Sequence, residues 1–345
     1  MAPRTLTQFM LDIGVRDGKS GLARILAATS VAIKLTASMV ARGPLIMEST
    51  DDQIPSDEQL RRTLRRLATN ALLKQTDSIE QLAGVSLAGS SKIQQVSASG
   101  RYLLVFEAMH GMTNLSDNLP VGAAFAVLER ETSGPCTEED FLQPGTNLCA
   151  AGVALYGPRT VLTLTTGNGV DCFTFDREVG NFVLTRPQVK IPLDRPIFAI
   201  NPADAPHWPG AVKRYVEECV LGAEGPRGRD FVMRWNASAL VGAYRVLTSG
   251  GLFLVPETDK PGTWLAPLLH TAAPLAFLAE QAGGAAVTGT QRVLEVVPES
   301  LNTRVPLFLG CVGEVDRISR YFEEEQDADR EYAHPLFHNR TLFVD

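Results

Sequence analysis

A chain of 345 residues can bury one large core or two medium ones. Its formal net charge of −7 argues against nucleic acid or an anionic membrane as a bulk partner, and neither a signal peptide nor an apolar run long enough to span a membrane is predicted. The five cysteines form no CxxC pair, which favours free thiols and a cytoplasmic location.

Two helices are predicted in the N-terminal part of the chain. Between Gly21 and Val40, apolar residues recur at the spacing of a helix that packs on one face. The sequence Ser56–Gln59 has the form of a capping box and predicts the start of a second helix. Leucines follow one side of this second helix, and the other side carries Arg61, Arg62, Arg65 and Arg66.

From residue 101 the pattern changes to short strands separated by Gly-Pro and Asn-Gly turns. The predicted strands are Tyr102–Phe106, Ala123–Leu128, Ala150–Leu155, Val161–Thr165, Cys172–Phe175, Phe182–Leu184 and Gly251–Val255. Helices are predicted over Pro209–Leu221, Ala237–Leu247, Leu268–Gln281 and Val315–Glu325. The order of these elements predicts a layered α/β protein with an N-terminal α/β region over 1–195 and a C-terminal α/β region over 196–345.

The strand at Tyr102–Phe106 leads to a tight bend at His110-Gly111, beside which Glu107 supplies one carboxylate. Magnesium prefers several oxygen ligands, whereas imidazole suits zinc or iron. Glu107 and His110 alone are too few for a convincing site, so a weak metal site remains the alternative to a structural histidine.

Several longer motifs, spread over nearly the whole chain, resemble class I fructose-1,6-bisphosphatase. They are Thr5–Phe9, Phe141–Gly145, Ala150–Pro158, Leu164–Val170, Glu224–Phe231, Met233–Trp235, Ala276–Gly284, Arg304–Gly310 and Pro335–Phe343. The resemblance implies a layered α/β sandwich of the fructose-1,6-bisphosphatase and inositol monophosphatase type, with five layers, and a homotetramer. It also implies a magnesium-dependent phosphatase that converts fructose 1,6-bisphosphate to fructose 6-phosphate in gluconeogenesis or the Calvin cycle.

The positions that match the family's metal ligands carry other residues in this chain. The family's Asp-Pro-Leu-Asp-Gly-Ser-Ser-Asn turn corresponds to Glu107–Asn114, and its Tyr-Glu-Ala-Asn segment corresponds to His270–Ala273. An aspartate of the second helix becomes a cation, and two glutamates before the central strand are lost. The residues now at these positions are Arg65, Ala88, Gly89, Glu107, His110 and Thr271.

On the substrate side the resemblance carries over only in part. Val255 and Leu265 replace a tyrosine and a lysine of the family, whereas Asn201 and the pair Arg234-Trp235 are kept. The expected substrate-binding residues are Asn201, Arg234, Trp235, His110, Gly111, Met112 and Thr113.

Two functions follow from this pattern. The replacements predict a catalytically impaired protein, or a pseudoenzyme, that binds magnesium weakly and has a binding or regulatory role. Its partners would be a sugar phosphate, such as fructose 1,6-bisphosphate or fructose 6-phosphate, and either identical subunits in a homotetramer or an active homologue in a mixed oligomer. The alternative is an active fructose-1,6-bisphosphatase with divergent metal use.

Overall fold

The computed structural model describes residues 4–16, 18–47 and 56–332. Three helices open the chain: α1 (Leu6–Arg16), α2 (Ser20–Arg42) and α3 (Asp57–Thr76). The capping box is confirmed, because the Ser56 side chain accepts the Gln59 N–H and the Gln59 side chain accepts the Ser56 N–H. The motif Pro335–Phe343 lies outside the described residues.

Eight strands form the first sheet, in the spatial order β2-β1-β3-β4-β5-β6-β7-β8. They are β1 (Leu82–Leu87), β2 (Gln94–Gln95), β3 (Tyr102–His110), β4 (Val121–Glu129), β5 (Leu148–Tyr156), β6 (Thr160–Thr165), β7 (Val170–Asp176) and β8 (Asn181–Arg186). Strands β1 and β3 are parallel, and the other neighbours are antiparallel. The predicted strands here are confirmed, but β3 is longer than predicted and contains Glu107 and His110.

Five strands form the second sheet, in the order β10-β9-β11-β15-β13, and two more form a small pair, β12-β14. These strands are β9 (Ile197–Ala199), β10 (Val232–Met233), β11 (Leu252–Val255), β12 (Ala266–Pro267), β13 (Ala285–Val287), β14 (Arg304–Val305) and β15 (Leu307–Gly310). The remaining helices are α4 (Gly210–Val220), α5 (Ala239–Ser249), α6 (Ala273–Gln281) and α7 (Val312–Tyr332).

Five layers of helices and sheets pack around three hydrophobic cores. Helices α1 to α3 share one core with the first sheet. Helices α5 and α6 lie between the two sheets in the largest core, and α4 and α7 pack on the outer side of the second sheet. This α-β-α-β-α arrangement confirms the predicted fold class, a layered α/β sandwich.

Helix α2 corrects the expectation that no segment is long and apolar enough to span a membrane. By length and composition alone, the segment Ser20–Ile46 could do so. One face of α2, with Leu22, Ile25 and Ile33, packs against α1, α3 and the first sheet, which is compatible with a soluble protein.

Candidate functional site

The candidate site lies where three elements meet: the end of β3, the start of α5, and a π-helical turn that precedes α6. The turn spans Leu268–Ala272, and all five of its residues are buried. A π turn adds one residue to the ordinary helical repeat and is often found at functional sites. Here the π turn brings His270 and Thr271 against β3.

A bulge in β3 places Glu107 and His110 side by side. Residues three apart in a regular strand point to opposite faces of the sheet. In β3 the pairing with β4 shifts between Glu107, which faces Ala124, and His110, which faces Gly122. The extra residue turns the strand locally, and the His110 Nδ1 comes within 2.8 Å of the Glu107 Oε1.

Both carboxylate oxygens of Glu107 accept a hydrogen bond from a protein side chain. The His110 Nδ1 donates to Oε1, and the Thr271 Oγ1 donates to Oε2 at 2.7 Å. Burial acts to raise the pKa of this carboxyl, but the neighbouring His110 and the two hydrogen bonds outweigh burial. The pKa of Glu107 is therefore below its ordinary value, and the group is a carboxylate at neutral pH.

The second nitrogen of His110 is also engaged. Its Nε2 accepts the backbone N–H of Ala239, at the start of α5, at 3.2 Å. A ring nitrogen accepts a hydrogen bond only when it carries no proton, so the hydrogen bonds assign the ring proton to Nδ1. The ring also meets Trp264 edge to face, with centroids 5.7 Å apart.

A second histidine, His270, lies beneath this pair. Its Nε2 is 3.1 Å from the hydroxyl of Ser86, and the residue is 2% exposed. Burial lowers the pKa of His270 from 6.5 to about 4, against smaller opposing effects of Glu107 and Ser86. His270 is therefore neutral at physiological pH.

The side chains of Glu107, His110 and His270 do not fit a magnesium ion, which requires several oxygen ligands in nearly octahedral geometry. Within the described ranges, no group of three or more His, Cys, Asp or Glu side chains is placed to hold one metal ion. The ring of His110 offers no free lone pair, because Nδ1 donates and Nε2 accepts. Each oxygen of Glu107 already faces a proton donor.

A cavity of about 220 Å³, which we call the arginine cavity, opens beside Glu107. It brings position 65, on α3, together with the adjacent positions 88 and 89, which follow β1. Its lining residues are Arg65, Thr69, Leu87, Ala88, Gly89, Phe106, Glu107, Ala108, Met109, Trp264, Pro267 and Arg304.

A second cavity, of about 300 Å³, is lined by all three tryptophans of the chain and is called here the aromatic cavity. Its lining residues are Ile200, Asn201, Asp204, Trp208, Trp235, Ala237, Ala239, Phe253, Leu254, Val255, Pro256, Thr258, Lys260, Gly262, Thr263 and Trp264. Since Trp264 lines both cavities, they adjoin each other.

Polar groups in the aromatic cavity form one linked set. Asp204 accepts hydrogen bonds from the Asn201 Nδ2 at 2.6 Å and from the Lys260 Nζ at 3.0 Å. Trp235 stacks on Phe253, with centroids 6.2 Å apart and an interplanar angle of 9°. The cavity therefore combines flat aromatic faces with one balanced ion pair.

The predicted substrate-binding residues do not all converge. Asn201 and Trp235 line the aromatic cavity, whereas the exposed Arg234 lines neither of the two cavities. At the bend, Gly111 has a left-handed backbone (φ 70°), Met112 is buried and Thr113 is exposed. Their substrate role stays a prediction.

Sequence reasoning did not select several residues that the fold places at the site. They are Ser86, Asp204, Trp208, Lys260, Trp264, His270 and Arg304. The sequence shows that the chain has three tryptophans, but it gives no indication that their side chains line one cavity.

Comparison with known protein families gives two matches. The family model for the N-terminal domain of fructose-1-6-bisphosphatase matches residues 4–187. The family model for the C-terminal domain of fructose-1-6-bisphosphatase matches residues 191–323. Together these matches cover most of the chain.

Proposed function

Because the chain belongs to the fructose-1,6-bisphosphatase family, we propose that it is a member without magnesium-dependent hydrolysis that acts by binding a phosphorylated sugar. The family consists of phosphatases of carbohydrate metabolism that generally depend on metal ions. The observation that carries the proposal is the state of Glu107, whose two oxygens accept from His110 and Thr271. Both oxygens of the central carboxylate are thus engaged in hydrogen bonds within the protein.

The chemistry of phosphate monoester hydrolysis explains why this matters. Metal ions neutralise charge on the phosphoryl group and lower the pKa of the attacking water. A mechanism that relies on metal ions loses this contribution when they are absent, and the uncatalysed hydrolysis of phosphate monoesters is among the slowest reactions known. Glu107 and His110 cannot take over that role without breaking their hydrogen bonds to each other, to Thr271 and to Ala239.

The aromatic cavity supports a sugar as the ligand. Its volume of about 300 Å³ is at the lower end of small-molecule sites. Indole faces offer apolar area to the C–H side of a sugar ring, while Asn201, Asp204 and Lys260 offer hydrogen-bond partners to hydroxyl groups.

One preparation tests both parts of the proposal: the purified chain from a host deleted for its own fructose-bisphosphatases. We expect no phosphate release from fructose 1,6-bisphosphate with magnesium, manganese or zinc. We expect a saturable change in tryptophan fluorescence with fructose 6-phosphate or fructose 1,6-bisphosphate in the presence of a chelator.

A turnover of about one per second or more, in the range of ordinary enzymes, that is abolished by Glu107→Ala would refute the first part and support an active enzyme with divergent metal use. Absence of any fluorescence change at millimolar sugar phosphate would refute the second part.

Assembly and location belong to the same proposal. The family usually forms tetramers, and α1 and α2 expose the apolar side chains Leu11, Val15, Val31 and Leu35. This exposure supports a homotetramer, or a mixed oligomer with an active homologue, and a monomer in sedimentation at micromolar concentration, alone and with the homologue, would contradict it. All five cysteines are free thiols, which supports a cytoplasmic location.

A further inference from the structure

The arginine cavity carries a charge opposite to that of a metal-binding site. Two arginines, Arg65 on α3 and Arg304 on β14, line a cavity of about 220 Å³. The one carboxylate that lines it, Glu107, is already paired with His110. Two like charges in one small space repel a divalent cation and attract an anion.

Both guanidinium groups keep donors for a ligand. On α3, Arg61 and Arg62 form ion pairs with the carboxylate of Glu58, at nitrogen–oxygen distances of 3.8 and 2.7 Å. Arg65, on the same helix, forms no ion pair with an acid of the described ranges. Arg304 donates one nitrogen, Nη1, to the carbonyl of Leu265 at 2.8 Å and likewise forms no ion pair there. Both side chains belong to exposed residues and can adjust to a ligand.

We infer that Arg65 and Arg304 form an anion site that binds the phosphate group of the ligand directly, without a metal ion. Guanidinium groups bind phosphate through two parallel hydrogen bonds and keep their charge at any physiological pH. The inference rests on the proposed function, since it names the group of the sugar phosphate that this cavity receives. The site thus binds an anion at the position where related phosphatases bind cations.

The position of Trp264 supports a single ligand that spans both cavities. Trp264 lines both the arginine cavity and the aromatic cavity. A phosphorylated sugar would place its phosphate between Arg65 and Arg304 and its ring in the aromatic cavity. The aromatic cavity has one cation, Lys260, already paired with Asp204, so the arginine cavity is the better phosphate site.

Calorimetric titration of the full chain with inorganic phosphate, in a low-salt buffer with a chelator, tests the inference. We expect phosphate to bind wild type, and we expect Arg65→Gln and Arg304→Gln each to weaken binding roughly tenfold or more. Arg66→Gln is the matched control, because Arg66 is an exposed neighbour on α3 that does not line the cavity. Thermal unfolding of each variant verifies that it is folded.

The outcomes separate this inference from the proposed function. Phosphate binding that requires a divalent metal, that is absent, or that is unchanged in both cavity variants overturns the anion site. Fructose 6-phosphate that binds with equal strength to wild type and both variants also overturns it, while the proposed function stands. Metal-dependent turnover on fructose 1,6-bisphosphate would instead overturn the proposed function, while metal-free phosphate binding that depends on Arg65 and Arg304 would still support the anion site.

Discussion

At the scale of single residues, the polar side chains of the site hydrogen-bond to one another and, among the described residues, leave no free ligands for a metal ion. Glu107 is charged and nearly buried, and such a group is tolerated only when its oxygens have donors. His110 and Thr271 supply those donors, and the buried His270 stays neutral beside them. His110 and Thr271, at positions predicted to match the family's metal ligands, thus hydrogen-bond to Glu107 and stabilise its carboxylate.

Replacing Thr271 tests this network. Thr271→Val keeps the shape of the side chain but leaves the Glu107 Oε2 without its donor, so we expect the free energy of unfolding to fall by about 1–3 kcal/mol. Thr271→Ser keeps the hydroxyl and should lose less. Urea unfolding of the three proteins measures the difference. Equal stability of the valine and serine variants would contradict a role for the hydroxyl.

The low pKa of His270, about 4 in the folded protein against 6.5 ordinarily, predicts a dependence of stability on pH. Between these values the unfolded chain binds a proton that the folded chain excludes, so stability is complete above 6.5 and falls as the pH drops towards 4. The loss is on the order of 3 kcal/mol. The lowered pKa of Glu107 acts in the same direction at still lower pH.

Denaturant unfolding of wild type and His270→Gln at several pH values checks this expectation. The variant should show a smaller change of stability between pH 6.5 and 4, whatever its absolute stability. Parallel curves for wild type and His270→Gln would show that His270 is not the group responsible.

At the scale of elements, two departures from regular geometry build the site. The bulge in β3 puts Glu107 and His110 on one face, and the π turn before α6 brings Thr271 to the same carboxylate. The bend after β3 then depends on Gly111, because its backbone is left-handed and a Cβ there would lie 2.8 Å from the Cβ of Ser238.

Gly111→Ala should therefore destabilise the protein more than an alanine at a left-handed glycine in open space. Gly89 provides that control, with φ +78° and no atom within 4 Å of an added Cβ. Both changes carry a backbone penalty of about 1–2 kcal/mol, and Gly111→Ala should add about 1–3 kcal/mol for the close contact with Ser238. Thermal and urea unfolding measure the free energy of unfolding of both variants. Equal losses for Gly111→Ala and Gly89→Ala would mean that the turn at Gly111 relaxes and avoids the contact.

At the scale of the whole molecule, the helices between the two sheets join both halves of the chain in one core. That core takes residues from the first sheet, from α5 and α6, and from the second sheet. The division at residue 195 stays a prediction, and we propose that the regions 1–195 and 196–345 are parts of one cooperative unit.

A comparison of two spectroscopic signals tests this cooperativity. The three tryptophans, Trp208, Trp235 and Trp264, all lie in the region 196–345, so their fluorescence reports that region, while far-ultraviolet circular dichroism reports the whole chain. We expect the two urea unfolding curves to coincide. Two separate steps in the dichroism, only one of them matched by fluorescence, would show that the regions unfold independently.

Within the described residues, local patterns in the sequence were sufficient for six of the seven α-helices, seven of the fifteen strands and the family; α1 and eight short strands were not predicted. The capping box at Ser56–Gln59 and the turn glycines act over a few residues, so they can be recognised without the fold. The replacement of metal-site carboxylates was likewise predicted one position at a time, and it stays a prediction. The prediction placed Glu107 in a turn, however, and it lies within β3.

Only the tertiary structure determined how the remaining residues are used. The contact between Glu107 and His110 depends on a bulge set by pairing with β4, and the contact with Thr271 joins residues 164 positions apart. The two cavities likewise collect Arg65, Trp264 and Arg304 from distant elements. Such contacts depend on how strands pair and layers pack across the whole chain, and no local pattern in the sequence encodes that packing.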